Sequence, residues 1–210
     1  MGTGRRVTKR LPSVAIAAWL VALTCHESEA PATIEAQRAR LPPPAECPSP
    51  MSGKWRALTY NERQTSWYQY TLEVHEDPND SSALTGMIYI DAWIGDADTP
   101  EPPVPCRWRY QGKMDGTGTF VAGQVEFWGG PFTRTMQICG GPVGYNSDHF
   151  SGKLQPELQE FQAVNNDGGA AVNEPAVFRR IGCFELDGRK EPGSSVEPPP
   201  FFPKRRKSGC

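Results

Sequence analysis

Residues 66–74 read SWYQYTLEV. A period of two runs through them: Trp67, Gln69, Thr71 and Glu73 fall on one face, and Tyr68, Tyr70, Leu72 and Val74 on the other. Successive side chains of an extended chain point to opposite faces, and aromatic and β-branched types suit a pleated, half-buried surface. This segment is a strand.

Working outward, residues 54–60 (KWRALTY) alternate more loosely, and 75–82 (HEDPNDSS) carry turn chemistry. Leu84-Thr85-Gly86 leads into a strand over 87–94 (MIYIDAWI), and 95–105 form a Pro-rich acidic loop. Strand patterns recur at 106–114, 118–121, 124–128 and 133–139. After the break Gly140-Gly141-Pro142 come 149–154 and 158–164, then an Asn/Asp/Gly turn at 165–169 and a last strand at 176–181. Residues 158–164 also fit a helical turn, since Leu158, Phe161 and Gln162 satisfy either period. Eight to ten short strands at intervals near ten residues, with no amphipathic helix among them, predict an all-β domain. The expectation is an antiparallel up-and-down barrel of about eight strands, with a β-sandwich as the alternative.

Composition agrees. The chain has 210 residues, of which 21 are Gly and 21 Pro, which argues against a helical bundle or a polytopic membrane protein. Six Trp and nine Phe supply a core that a disordered chain would lack. The prolines crowd the two ends and the loop near residue 100, which frames one domain over 51–186. Residues 26–50 read as a Pro-rich linker, with a short helix allowed over 33–40, and 187–210 as a disordered basic tail containing Lys204-Arg205-Arg206-Lys207.

Residues 1–25 have a signal-peptide layout. Arg5, Arg6, Lys9 and Arg10 precede an apolar run over 11–23, which is short for a membrane span. Two cleavage readings fit. Ala22-Leu23-Thr24-Cys25 resembles a loose bacterial lipobox, which implies lipid on Cys25 and a membrane anchor; the other cut follows Ala30. Either places the protein outside the cytoplasm: a periplasmic or outer-membrane lipoprotein, or an extracellular protein. Residues 31–186 carry 12 basic and 19 acidic side chains, a poor surface for nucleic acid.

With Cys25 set aside, Cys47, Cys106, Cys139 and Cys183 lie in or beside the domain, and Cys210 stands alone at the end. Four cysteines in an exported domain read as two disulfides with three connectivities. Cys47–Cys183 would join the domain's ends and Cys106–Cys139 would brace an internal hairpin region, and these are the favoured pairs. No C-x-x-C spacing exists and His26, His75 and His149 are scattered, so neither a metal nor another cofactor is expected.

Ser52-Gly53-Lys54-Trp55 resembles the G-x-W signature that opens lipocalins and avidins, the calycin group of eight-stranded barrels. Arg179 and Arg180 lie on the last predicted strand, where those families lay an Arg across the Trp ring. The resemblance implies a Trp55 plug at the closed end, under a guanidinium that gains roughly 1–2 kcal/mol of cation–π energy once desolvated. Leu84-Thr85-Gly86 and Phe150-Ser151-Gly152 are similar to the T-G steps of avidin strands, and an N-D-G turn precedes the final strand. Other marks are missing. No Trp follows Trp128, residues 158–164 hold only Phe161, and the lipocalin T-D-Y motif is absent. The resemblance therefore implies a fold and no particular ligand.

Trp67, Tyr70, Trp93, Trp108 and Trp128 are the aromatic candidates for a ligand-binding lumen. Trp67 and Tyr70 lie on opposite faces, so at most one of them points inward; the plain alternative is that these rings fill the interior or belt the outside. Asp91, Asp96, Asp98 and Glu101 match no calcium-loop spacing and read as a solvated acidic loop. Asn165, Asn166, Asp167, Asn173 and Glu174 form a second polar cluster, suited to a metal, a sugar or an Asx-rich turn. Ser147, Asp148, His149 and Ser151 are neighbours in sequence, which is not a triad. No hydrolase, phosphate-binding or dinucleotide motif appears, so a catalytic role is the weaker expectation. The sequence points to an exported barrel binding a small hydrophobic or amphipathic ligand. A ligand-free structural or interaction module of the cell envelope is the alternative, and a secreted hydrolase comes third.

Overall fold

The computed structural model describes residues 30–141, 144–169 and 172–184. One helix, α1 (Ala30–Arg40), precedes nine strands: β1 (Gly53–Asn61), β2 (Ser66–Asp77), β3 (Asp80–Ile94), β4 (Arg109–Val121), β5 (Gln124–Gly129), β6 (Thr133–Cys139), β7 (His149–Gln155), β8 (Glu160–Asn165) and β9 (Pro175–Gly182). All pairings are antiparallel. Eight strands close on themselves as β1-β2-β3-β4-β5-β7-β8-β9, and β6 continues the line of β5 along the first half of β4. The expected up-and-down barrel is the observed fold.

Strand alternation divides the molecule. Trp55, Ala57, Tyr70, Leu72, Ile88 and Ile90 face inward, joined by Phe127, Phe150, Phe161 and Phe178. Phe161 and Phe178 stack at 4.7 Å, and Phe150 meets Phe178 edge-on at 4.7 Å. Rings this large fit because facing strands carry glycine. A Cβ on Gly116 would lie 2.5 Å from the Phe127 ring, and one on Gly112 would lie 2.1 Å from Phe132.

Two sequence expectations change. Residues 109–121 form the single strand β4, which merges the expected strands 106–114 and 118–121 and leaves 106–108 outside it; its inward glycines imitate a break. Residues 75–82 are mostly strand, with only Pro78 and Asn79 in the turn, because the β2–β3 hairpin carries its polar tip into solvent.

The segment expected as a free linker is ordered from α1 onward. Ile34 and Leu41 cover an outer cluster of Leu58, Trp67, Trp93 and Val177. Trp67 and Trp93 were candidates for the lumen, yet both lie here, outside the barrel wall. They take the strand face opposite Tyr70, and the helix shields them from water. The β1–β9 ladder covers only Lys54, Trp55 and Arg56. Beyond it, Gln37 fills the seam: its amide donates to Pro175 O at 2.8 Å and accepts from Val177 N at 2.8 Å. Glu160, 1 % exposed, receives Arg38 on one oxygen and Arg179 on the other, and Arg179 also reaches the Leu41 and Pro42 carbonyls. Both favoured disulfides are present, Cys47–Cys183 beside the closed end and Cys106–Cys139 between the start of β4 and the end of β6. They suggest an oxidising, non-cytoplasmic compartment. Among the described residues, no helix is long and apolar enough to cross a membrane. The signal peptide, Cys25, Cys210 and the Lys204–Lys207 cluster lie outside the described residues.

The closed end joins these parts. Arg180, 2 % exposed, lies 4.6 Å above the Trp55 ring centroid. Its fork donates to the carbonyls of Ser49 and Pro50, and the Trp55 indole donates to Met51 O at 2.9 Å. Of the two arginines, Arg180 points inward and Arg179 outward. Lysine keeps the charge but cannot hold two carbonyls in one plane. Arg180→Lys should therefore cost about 2 kcal/mol in urea unfolding; an unchanged midpoint would show that the guanidinium adds nothing to closure.

Candidate functional site

Aromatic packing fills the barrel at the Trp55 end and stops short of the other. There two cavities open at the mouth, of about 250 Å³ and about 200 Å³, sharing the walls Gln64, Tyr68, Gly144 and Tyr145. The larger reaches from Thr59 and Tyr70 to Asn165, Asp167, Glu174 and Ala176, where β1 and β9 diverge. The smaller runs past Ser66, Trp108 and Tyr110.

Strand period places the tyrosines. Tyr68 and Tyr70 are two apart on β2 and stack at 6.3 Å, and Tyr70 meets Phe150 edge-on at 5.1 Å. Tyr145 comes from the loop between β6 and β7 and packs 4.8 Å from Phe132 and 6.1 Å from Tyr110. That loop is fixed where it meets β5 and β8. Ser147 donates to Gly130 O at 2.9 Å, Gly129 N donates to Asp148 O at 2.8 Å, and Asn166 N donates to His149 O at 2.7 Å.

Beneath Tyr145 lies Asp148, 1 % exposed. Its carboxylate accepts the Tyr145 hydroxyl, 3.0 Å from each oxygen, and the Asn165 amide at 2.7 Å. Asn165 spends its oxygen on His149 N at 3.1 Å, which fixes its orientation. Tyr70 and Tyr145 oxygens lie 3.3 Å apart. While Asp148 is ionised it claims the Tyr145 proton, so Tyr70 must be the donor in that contact. A relay therefore runs Tyr70 to Tyr145 to Asp148. Protonation of Asp148 removes its claim on the Tyr145 proton, and either tyrosine can then donate to the other.

Burial governs the energetics. It pushes the Asp148 carboxyl up to about 7, against the pull of the Asn165 and Tyr145 hydrogen bonds, and the Asp167 charge raises it further. Burial also lifts Tyr70 and Tyr145 well above the ordinary phenol range. Glu174 is raised by partial burial and by Glu62 and Asp167, with Arg63 opposing.

The sequence candidates scatter. Tyr70 and Trp108 line the cavities, whereas Trp67 and Trp93 are outside under α1. Trp128 is also outside, 38 % exposed and stacked on His149 at 5.4 Å. Of the polar cluster 165–174, Asn165, Asp167 and Glu174 reach the cavity. Asp91 is held by Arg109 through both oxygens and by Gln111. Among the described residues, no group of three His, Cys, Asp or Glu could hold a metal. Alternation separates Asp148 from its neighbours: it turns inward while His149 and Ser151 turn outward, both onto Glu126, at 2.7 Å and 2.6 Å. Serine and histidine meet the carboxylate rather than each other, so they form no nucleophile–base pair. Tyr145 and Tyr110 escaped the sequence reading, Tyr68 entered it only as a strand residue, and Asp148 only as a neighbour of His149. The available signal was one aromatic residue, Tyr145, alone in the loop GGPVGYNSD.

No protein family, curated protein or solved structure matches the chain.

The folded state binds the Asp148 proton more tightly than the unfolded chain does. Its contribution to stability is thus complete at low pH and is lost as pH rises from about 4 through about 7. Between pH 5 and 8 the wild type should lose stability relative to Asp148→Asn, by up to a few kcal/mol. Urea unfolding of the two proteins measures this difference, with other titrating groups cancelling; a constant difference would refute the raised carboxyl.

Proposed function

We propose that the barrel binds one small amphipathic ligand in its mouth, as an exported protein carried to the cell envelope. The paired cavities carry this reading. Aromatic rings and polar groups converge there, above a solid half-barrel that provides a rigid floor. Ligand pockets combine this kind of apolar wall with a few placed polar groups. The volumes restrict the ligand to a small one, since drug-sized molecules need several hundred Å³. The tyrosine relay supplies hydrogen bonding at the floor, and Trp108 and Tyr110 supply apolar contact at the side. Export rests on the disulfides and on the basic-apolar layout of residues 1–25, and anchoring on lipid at Cys25.

An interaction module is the second reading, and β6 favours it. This strand pairs with β4 alone among the described strands, and Met136 and Ile138 on it are 39 % and 37 % exposed.

A panel of small amphipathic compounds, titrated while Trp108 fluorescence or amide NMR shifts are followed, tests the binding reading. A compound that binds should lose about tenfold in affinity on Tyr145→Ala. It should be indifferent to Trp128→Ala, which lies on the outer wall. Binding that ignores Tyr145→Ala would move the site away from the mouth. Intact mass of the envelope-purified protein tests anchoring: a diacylglyceryl group on Cys25 is expected, and an unmodified chain starting at Pro31 would exclude it.

A further inference from the structure

Resting on ligand binding at the mouth, we infer that the ligand is an organic cation, an ammonium group on a small apolar body. The walls select by charge. Asp167 and Glu174 line the larger cavity, and among the described residues no Lys, Arg or His lines either one. Arg63, close enough to influence Glu174, and Arg134, close enough to influence Tyr110, are not among the wall residues. Asp148 adds a third carboxylate behind the wall. The charges of Asp148, Asp167 and Glu174 all act on the Tyr68 hydroxyl, so their fields converge on the partition between the cavities.

Hydrogen bonding selects in the same direction. Tyr68 donates to Gln64 at 2.6 Å, and the relay commits the protons of Tyr70 and Tyr145 while Asp148 is ionised. What these hydroxyls then offer a guest is lone pairs. Ser66 adds a polar group in need of a partner. It is 1 % exposed, lines the smaller cavity, and its hydroxyl has no hydrogen bond of good geometry, so it can accept from an ammonium guest as well as donate to another group. A guest rich in N–H groups satisfies these acceptors, and one that brings more acceptors does not. The tyrosine rings complete the selection, because aromatic faces attract cations, and more strongly where water is excluded. A carboxylate guest meets repulsion from Asp167 and Glu174 and finds no cation among the described lining residues.

Three probes with one body separate the effects: 2-phenylethylammonium, 2-phenylethanol and phenylacetate, each titrated by calorimetry at pH 7.5 against the folded full-length protein. The ammonium should bind about tenfold or more tightly than the alcohol, and the carboxylate weakest of all. Asp167→Asn combined with Glu174→Gln should bring the ratio of ammonium to alcohol affinity close to one, and circular dichroism of the variant reports that it is folded. If all three probes bind alike, or the carboxylate binds best, and Tyr145→Ala weakens them, the cation inference fails while mouth binding stands. If none binds at millimolar concentration, both fail. An ammonium preference that survives the double substitution would also overturn the assignment, since the charge selection would then come from elsewhere.

Discussion

The guanidinium of Arg180, laid across Trp55 and forked onto the Ser49 and Pro50 carbonyls, holds the first strand, the last strand and the chain that precedes them. A buried cation without such partners would cost several kcal/mol. Burial lowers the proton affinity of Arg180, and Glu76 nearby partly restores it. Glu76 also accepts Met51 N at 2.6 Å, so the carboxylate that steadies the cation fixes the residue whose carbonyl receives Trp55. The two terminal nitrogens, the ring and the backbone carbonyls are engaged together, while Arg180 Nε is buried without a hydrogen bond.

Closing one pole determines what the other can be. The Phe rings above Trp55 leave no room for a deep lumen, so the cavities lie at the mouth, the larger where β1 and β9 separate and the smaller beside Ser66, Trp108 and Tyr110. The divergence needs a substitute for the missing strand pairing, and Gln37 supplies it from outside. Helix, seam and cavity are thus one arrangement: α1 seals the outer face of the opening whose inner face is the larger cavity.

The sequence made the strands legible because alternation is a local property. Residues 66–74 show both faces of β2 correctly, and spacing alone yields most of the others. The Trp55–Arg pair was also readable, although only geometry separates Arg180 from Arg179. The lumen was less so. Alternation says that Trp67 and Tyr70 part company, but not which side is inside. That depends on α1 covering Trp67, and α1 lies in a segment whose prolines and low apolar content resemble a linker. The Tyr145–Asp148–Asn165 cluster was illegible for a different reason. Its members come from a loop and from β8, and what makes Asp148 notable is the water it has lost, which no sequence pattern reports.

The joining of first and last strands also imposes an order in time. A chain emerging from synthesis makes Trp55 early, yet Arg180 arrives only with the last strand, and the Cys47–Cys183 bridge spans 136 residues. Until then the growing sheet has two open edges and an uncapped indole, and no shorter piece is a stable rehearsal of the whole. Barrel closure through such distant contacts is slow compared with helix formation. The architecture therefore favours folding after the chain is complete, in one cooperative step, in the compartment where its disulfides can form.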